Sequence, residues 1–164
     1  MKSLYIIGSL RNPNITTIAN RIRLETGIDV FDDWISPGPE ADDHWKNYEQ
    51  GKGNTYSDAL SGHAAKHIFA FDKYHLDRCD AAVLIAPAGK SAHLELGYTL
   101  GRNKPGFILL DDPERWDVMY QFATGIYDTL DKFIQELQRR TMEETNDRLG
   151  VGSTETQVRS EAQS

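Results

Sequence analysis

Short apolar runs alternate with longer stretches of helical periodicity along the first 110 residues of the chain. Leu4-Tyr5-Ile6-Ile7 is an unbroken apolar run that stops at Gly8-Ser9, which predicts a buried strand and its turn. Asn14-Ile15-Thr16-Thr17 opens a helix that runs to about Glu25 and closes at Gly27. Ile28 to Phe31 predicts a brief second strand. The stretch from Asp32 to Gly53 is polar and rich in Asp, Pro, Gly and Trp, so it reads as a long connection of the kind used for lids and binding loops. Helical spacing returns from about Tyr56 to Arg78. A third strand at Ala81–Ala86, a helix at Ser91–Gly101 and a fourth strand at Gly106–Leu110 follow. A last amphipathic helix is expected from about Tyr127 to Arg140.

Strands alternating with helices imply βαβ units and a mainly parallel sheet. The expectation is a single α/β domain, a flavodoxin-like or Rossmann-like three-layer fold over residues 1–141. Residues 142–164 turn to Glu, Thr, Ser, Gln and Gly with almost no large apolar groups, and read as a polar, disordered C-terminal tail. A length of 164 residues suits one domain with a real core. The 25 acidic side chains against 18 Lys and Arg leave a charge of -7, which argues against a nucleic-acid polymer or an anionic membrane as partner. No apolar stretch is long enough to cross a bilayer, and Met1-Lys2-Ser3 leads straight into a strand, so neither signal peptide nor anchor is expected. The single cysteine, Cys79, cannot form an internal disulfide and reads as a small buried apolar residue. A cytoplasmic location is the expectation.

The chemistry concentrates in Ser91-Ala92-His93-Leu94-Glu95-Leu96-Gly97-Tyr98. This run sets a glutamate near the start of a helix, just past a strand and the turn Ala86-Pro87-Ala88-Gly89-Lys90. The carboxyl ends of parallel strands are where open α/β sheets bind ligands. A helix amino terminus favours an ionised carboxylate, and such a carboxylate can act as a nucleophile. Asp72 and Asp80 are the other acidic candidates, weighed against ordinary solvated side chains. Gly8-Ser9-Leu10-Arg11 offers backbone N–H groups, a hydroxyl and a guanidinium to an anion, but it matches neither the dinucleotide nor the phosphate-loop fingerprint. The turns after the first and third strands would flank one cleft. His93 is a candidate neighbour of Glu95. His63 and His67 sit at i, i+4, yet lack the glutamate or cysteines of a zinc motif, so no metal and no cofactor is expected. Trp34, Trp45, Tyr48 and Tyr56 are aromatic rings in or beside the polar segment, either to stack on a planar ligand or to pin the segment down.

Asp72-x7-Asp80, an apolar strand and Glu95-Leu96-Gly97-Tyr98-Thr99-Leu100-Gly101-Arg102-Asn103-Lys104 together resemble the nucleoside 2-deoxyribosyltransferase family and the related nucleotide N-glycoside hydrolases. Tyr5-Ile6-Ile7-Gly8-Ser9 is similar to the family's first strand and turn, and Gly8-Ser9-Leu10-Arg11 resembles the hydrolase branch. The resemblance spans about residues 3 to 110. It implies Glu95 as nucleophile on the anomeric carbon of a (deoxy)ribose, with Asp72 near the base to protonate the leaving nitrogen. It further implies Tyr5 as the group orienting Glu95, and Gly8, Ser9 and Ser91 as contacts to the sugar or its 5′ substituent, with Arg11 as a phosphate donor. Asp80 is expected to be structural. The family builds sites across subunits, so a homo-oligomer is implied. Where the transferases carry a further base-binding aspartate, this chain has Gly89, and the polar tail does not resemble the transferases' docking C-terminus.

These residues point to an enzyme that cleaves the N-glycosidic bond of a small-molecule nucleoside or nucleotide, with deoxyribosyl transfer ahead of hydrolysis of the 5′-monophosphate. A non-catalytic nucleotide-binding domain is the rival from another class. A domain that cleaves a nicotinamide dinucleotide is a weaker one.

Overall fold

The computed structural model describes residues 1–111 and 116–149. Five parallel strands form one sheet in the order β2-β1-β3-β4-β5, where β1 is Ser3–Ile7, β2 Asp29–Phe31, β3 Ala81–Ile85, β4 Gly106–Leu109 and β5 Gly125–Tyr127. Helices cover both faces, giving the expected three-layer α/β architecture. The chain steps outward from β1 to β2 and then returns past β1 to β3. Right-handed crossovers therefore send the two connections to opposite faces of the sheet.

The period of two along each strand divides the core. Leu4, Ile6, Val83, Ile85, Phe107 and Leu109 face α1 (Ile15–Thr26) and α6 (Leu130–Leu149), meeting Ile15, Ala19, Ile22, Phe133, Ile134 and Leu137. Tyr5, Ile7, Ala82, Leu84 and Ile108 point the other way, towards α4 (His63–Arg78) and α5 (Lys90–Gly101), and meet Leu76, Ala92 and Leu96. Each fully buried large apolar side chain contributes about 1.5–3 kcal/mol over exposure. The strands are apolar on both faces because both faces are covered, which explains their unbroken apolar runs. Gly106 lets α5 press close: a Cβ there would lie 2.8 Å from Leu96 Cδ1 and 2.9 Å from Leu100 Cδ2. Gly27 ends α1 with φ of 71°, and its N–H donates to the Arg23 carbonyl.

Four expectations change. The segment Asp32–Gly53 is not a bare connection: it holds a 3-10 turn at Asp33–Ile35 and a helix, α2, at Ala41–Gly51. The helix expected over Tyr56–Arg78 is two, α3 (Tyr56–Leu60) and α4, with the chain turning at Ser61-Gly62. Thr55 caps α3 in a reciprocal pair with Asp58, which gives that short helix its own start. Gly125–Tyr127 form a fifth strand that the sequence did not predict, ending where the last helix was expected to begin. The last helix begins at Leu130 and continues to Leu149, past the expected end at Arg140. Glu136 pairs with Arg139 and Arg140, Arg139 with Glu143, and the N-terminal amine of Met1 with Glu144. The rest of the expected tail, residues 150–164, lies outside the described residues. No helix among the described residues is long and apolar enough to cross a membrane.

Candidate active site

Strand alternation turns Tyr5 toward α4 and α5. Its parallel neighbour across the sheet is Ala82, small enough to leave room for the ring. Tyr5 is 1% exposed and stacks on Phe31 with ring centroids 5.1 Å apart, and Phe31 in turn stacks on His75 of α4 at 3.9 Å. The phenol is thereby fixed in place beside the two helices that carry Asp72 and Glu95.

Asp72 lies on the third turn of α4 and Glu95 on the second turn of α5. Both carboxyls and Tyr5 line one cavity of about 260 Å³, closed by Phe69, Lys73, Leu76, Leu94 and Tyr98. Two acids facing an apolar enclosure hold their protons more tightly than in water. Burial, reinforced by the charge of Asp72, raises Glu95 to about 7. Burial also raises Asp72. Burial and then the charges of Glu95 and Asp72 push the Tyr5 phenol far above its ordinary value, so it stays protonated and a donor. The two acids line one cavity, so their protonation is coupled. The expectation that the helix terminus keeps Glu95 ionised is corrected here. Glu95 is the sixth residue of α5, beyond the first turn where the dipole acts, and desolvation dominates.

Tyr5, Asp72, Glu95 and Phe69 also border a second, wider cavity of about 500 Å³ at the carboxyl edge of the sheet. One side is polar: Gly8, Ser9 and Arg11 from the turn after β1, and Gly89 and Ser91 from the turn after β3. The other is aromatic and apolar: Trp34, Trp45 of α2, Leu60 of α3, and Ala65 and Ile68 of α4. Arg11 reaches across to Asp43 of α2 at 2.8 Å, and Asp42 also borders the space. Trp34 is held as the pinning role expects. Its indole N–H donates to the Ile6 carbonyl at 2.7 Å, which pins it to the end of β1, while its ring borders the cavity.

Of the candidate residues, Tyr5, Gly8, Ser9, Arg11, Trp34, Asp72, Gly89, Ser91 and Glu95 converge on these two joined cavities. His93 does not. Two residues before Glu95 on a helix, it points about 200° around the axis. It borders a separate groove with Leu96, Met119 and Tyr120. Its Nδ1–H donates to the Gly89 carbonyl at 2.7 Å and its Nε2 accepts from the Tyr120 hydroxyl at 3.0 Å, so it fixes the turn after β3 instead. Asp80 lies at the opposite, amino edge of the sheet, where it accepts from the backbone N–H groups of Lys2 (2.6 Å) and Ser3 (3.1 Å). No cluster of metal-ligating side chains occurs among the described residues.

The apolar wall escaped the sequence reading. Ala65, Ile68, Phe69, Asp72 and Leu76 recur at the three-and-four spacing of a single helix face, which was the available signal.

No family model matches the chain, and no curated protein does. Among solved structures, a conserved protein from Enterococcus faecalis V583 superposes with a TM-score of 0.59 at 12% identity, covering 85% of this chain and 99% of that one. A CMP N-glycosidase of Clostridium botulinum, BcmB, superposes with a TM-score of 0.48 at 13% identity, covering 83% and 98%. The first likeness shows a shared fold over nearly the whole of that neighbour.

Proposed function

We propose that the protein cleaves the N-glycosidic bond of (deoxy)nucleosides or their monophosphates through a covalent glycosyl–Glu95 intermediate. The observation that carries this reading is the convergence of Asp72 and Glu95, with the phenol of Tyr5, on one largely apolar cavity that opens into a two-faced cleft. The proton that Glu95 holds at rest passes to Asp72, and the ionised Glu95 carboxylate then attacks the anomeric carbon as the C–N bond breaks. The proton on Asp72 passes to the departing base nitrogen, so that a neutral base leaves. A second base or a water molecule then takes the sugar, giving its proton to the ionised Asp72 while Glu95 leaves as carboxylate, which restores the starting pair. Tyr5, held protonated, donates to Glu95 and orients it. The hydroxyls of Ser9 and Ser91 face the sugar, and the planar base lies against the ring of Trp34 and the α4 wall.

Deoxyribosyl transfer is the favoured outcome of the intermediate, since the apolar wall suits a second planar base as acceptor. Hydrolysis of a 5′-monophosphate is the second reading, supported by Arg11 at the polar side and by Gly89, which supplies no carboxylate. An incoming phosphate would compete with Asp43 for Arg11.

The site is also expected to be completed by another copy of the chain. Ile68 and Phe69 of α4 and Leu94 of α5 line the two cavities and are exposed, Phe69 by 67% and Leu94 by 76%, and Phe71 and Tyr74 are exposed on the same helix α4. An apolar surface continuous with a cleft that must exclude water is a surface to be covered.

The test is product chromatography after incubation with deoxynucleosides and their monophosphates, each with and without a second free base. A new nucleoside that forms only with the acceptor establishes transfer. Free base and sugar phosphate from monophosphates alone establish hydrolysis. Binding with no release of base in any mixture contradicts the catalytic reading and favours a binding domain.

A further inference from the structure

One unanswered donor belongs to a residue that lines the wide cavity. Trp45, on α2, borders the same space as Asp72 and Glu95, and its indole N–H is shut from solvent with no hydrogen-bond partner. It is the sole buried side-chain nitrogen or oxygen left unpaired among the described residues. Folded proteins rarely leave a buried N–H unanswered, because losing water without gaining a partner is costly. Where one persists beside a cavity, a ligand is the natural partner to look for.

The surroundings say which part of a ligand would reach it. The polar groups of the cavity, Ser9, Arg11 and Ser91, stand on the turns after β1 and β3, while Trp45 stands among Leu60, Ala65, Ile68 and Phe69 on the apolar side. A glycoside divides the same way, into a hydroxylated sugar and a flat base whose edge carries acceptors. With the sugar at Glu95, the base lies on the Trp45 side. The indole is held in a definite orientation by an edge-on contact with Tyr56, centroids 6.3 Å apart at 68°. The helix that carries it is lightly anchored. Glu49, near its carboxyl end, is its one buried residue, and its ties include the exposed Arg11–Asp43 pair and the Trp45–Tyr56 contact. Small shifts of α2 about a bound base therefore cost little and bring the N–H to an acceptor.

We propose that Trp45 is a specificity-determining residue whose indole N–H donates to a ring-nitrogen or carbonyl acceptor on the bound base. This rests on the glycoside-cleaving reading above. Removing the N–H while keeping an aromatic ring separates it from a packing role.

The experiment titrates Glu95→Ala protein, which binds without turnover, with the four common deoxynucleosides and their monophosphates. It then repeats the titration in Glu95→Ala carrying Trp45→Phe, with thermal melts of both proteins without ligand. The expected result is a Kd raised about three- to tenfold for the best-bound compound, the yield of one neutral hydrogen bond. The melting temperature should be unchanged or higher, because an unpaired buried donor has been removed. An unchanged Kd overturns this inference alone. A raised Kd with a lowered melting temperature also overturns it, since α2 would merely have loosened. If no compound binds the parent protein, the glycoside reading and this inference fall together.

Discussion

Replacing Glu95 with glutamine should abolish turnover and, above neutral pH, make the fold more stable. The protein holds Glu95 in an enclosure that raises its pKa from the ordinary 4.5 to about 7. A carboxyl whose folded pKa is raised binds its proton more tightly in the native state than in the unfolded chain. The sign follows directly: stability carries no penalty from Glu95 below pH 4.5, falls as pH rises from there to 7, and stays reduced above. A rise of about 2.5 pH units at 1.36 kcal/mol each corresponds to about 3 kcal/mol. The cavity's partial opening to water trims the expected effect to about 2 kcal/mol. Glutamine keeps the shape and never ionises. Chemical denaturation at pH 8.5 should therefore show Glu95→Gln more stable than wild type by about 2 kcal/mol, or about 4–8 °C in a melt. At pH 4.5 wild-type Glu95 is itself neutral, and the two proteins should coincide. Comparing the difference at two pH values cancels whatever the amide changes by shape alone. An equal difference at both pH values would refute the claim that Glu95 is held desolvated beside Asp72.

Asp72→Asn removes both the acid and the charge that helps raise Glu95. The kcat should fall about 10²- to 10⁴-fold, most for bases that leave poorly, and the acidic limb of the pH–rate profile should move to lower pH. Arg11→Ala should raise KM for 5′-monophosphates about tenfold or more and leave deoxynucleosides nearly untouched, which steady-state kinetics on matched pairs will read. Phe69→Lys places a charge in the exposed α4 face. On the proposed interface, light scattering should show wild type as an oligomer and the variant as a monomer, whereas equal masses would remove that face from the interface.

The sheet was legible because β1, β3 and β4 are covered on both faces and so are written as unbroken apolar runs. Helices α1 and α5 were legible because each buries one stripe against that sheet, and α4 because its apolar residues keep helical spacing although only Leu76 is buried. Helix α2 was not, since only Glu49 among its eleven residues is buried, and a helix that barely packs leaves no apolar period to read. Strand β5 is three residues long at the sheet edge with its middle residue, Ile126, 42% exposed, too short and too open to declare itself. The pairing of Asp72 with Glu95 followed from the motif. Their shared burial did not, and it raises Glu95 where the helix terminus alone would lower it. His93 shows the opposite failure. Closeness in sequence suggested closeness in the site, although a two-residue step on a helix points to the other side.

The central claim, a covalent glycosyl–Glu95 intermediate, is tested most directly by mass spectrometry of protein quenched in acid within the first turnovers on a deoxynucleoside. The account predicts an added deoxyribosyl mass on the peptide that contains Glu95, lost again when acceptor base is supplied and never formed in Glu95→Gln. Base release with no adduct, or with the adduct on another residue, would contradict it.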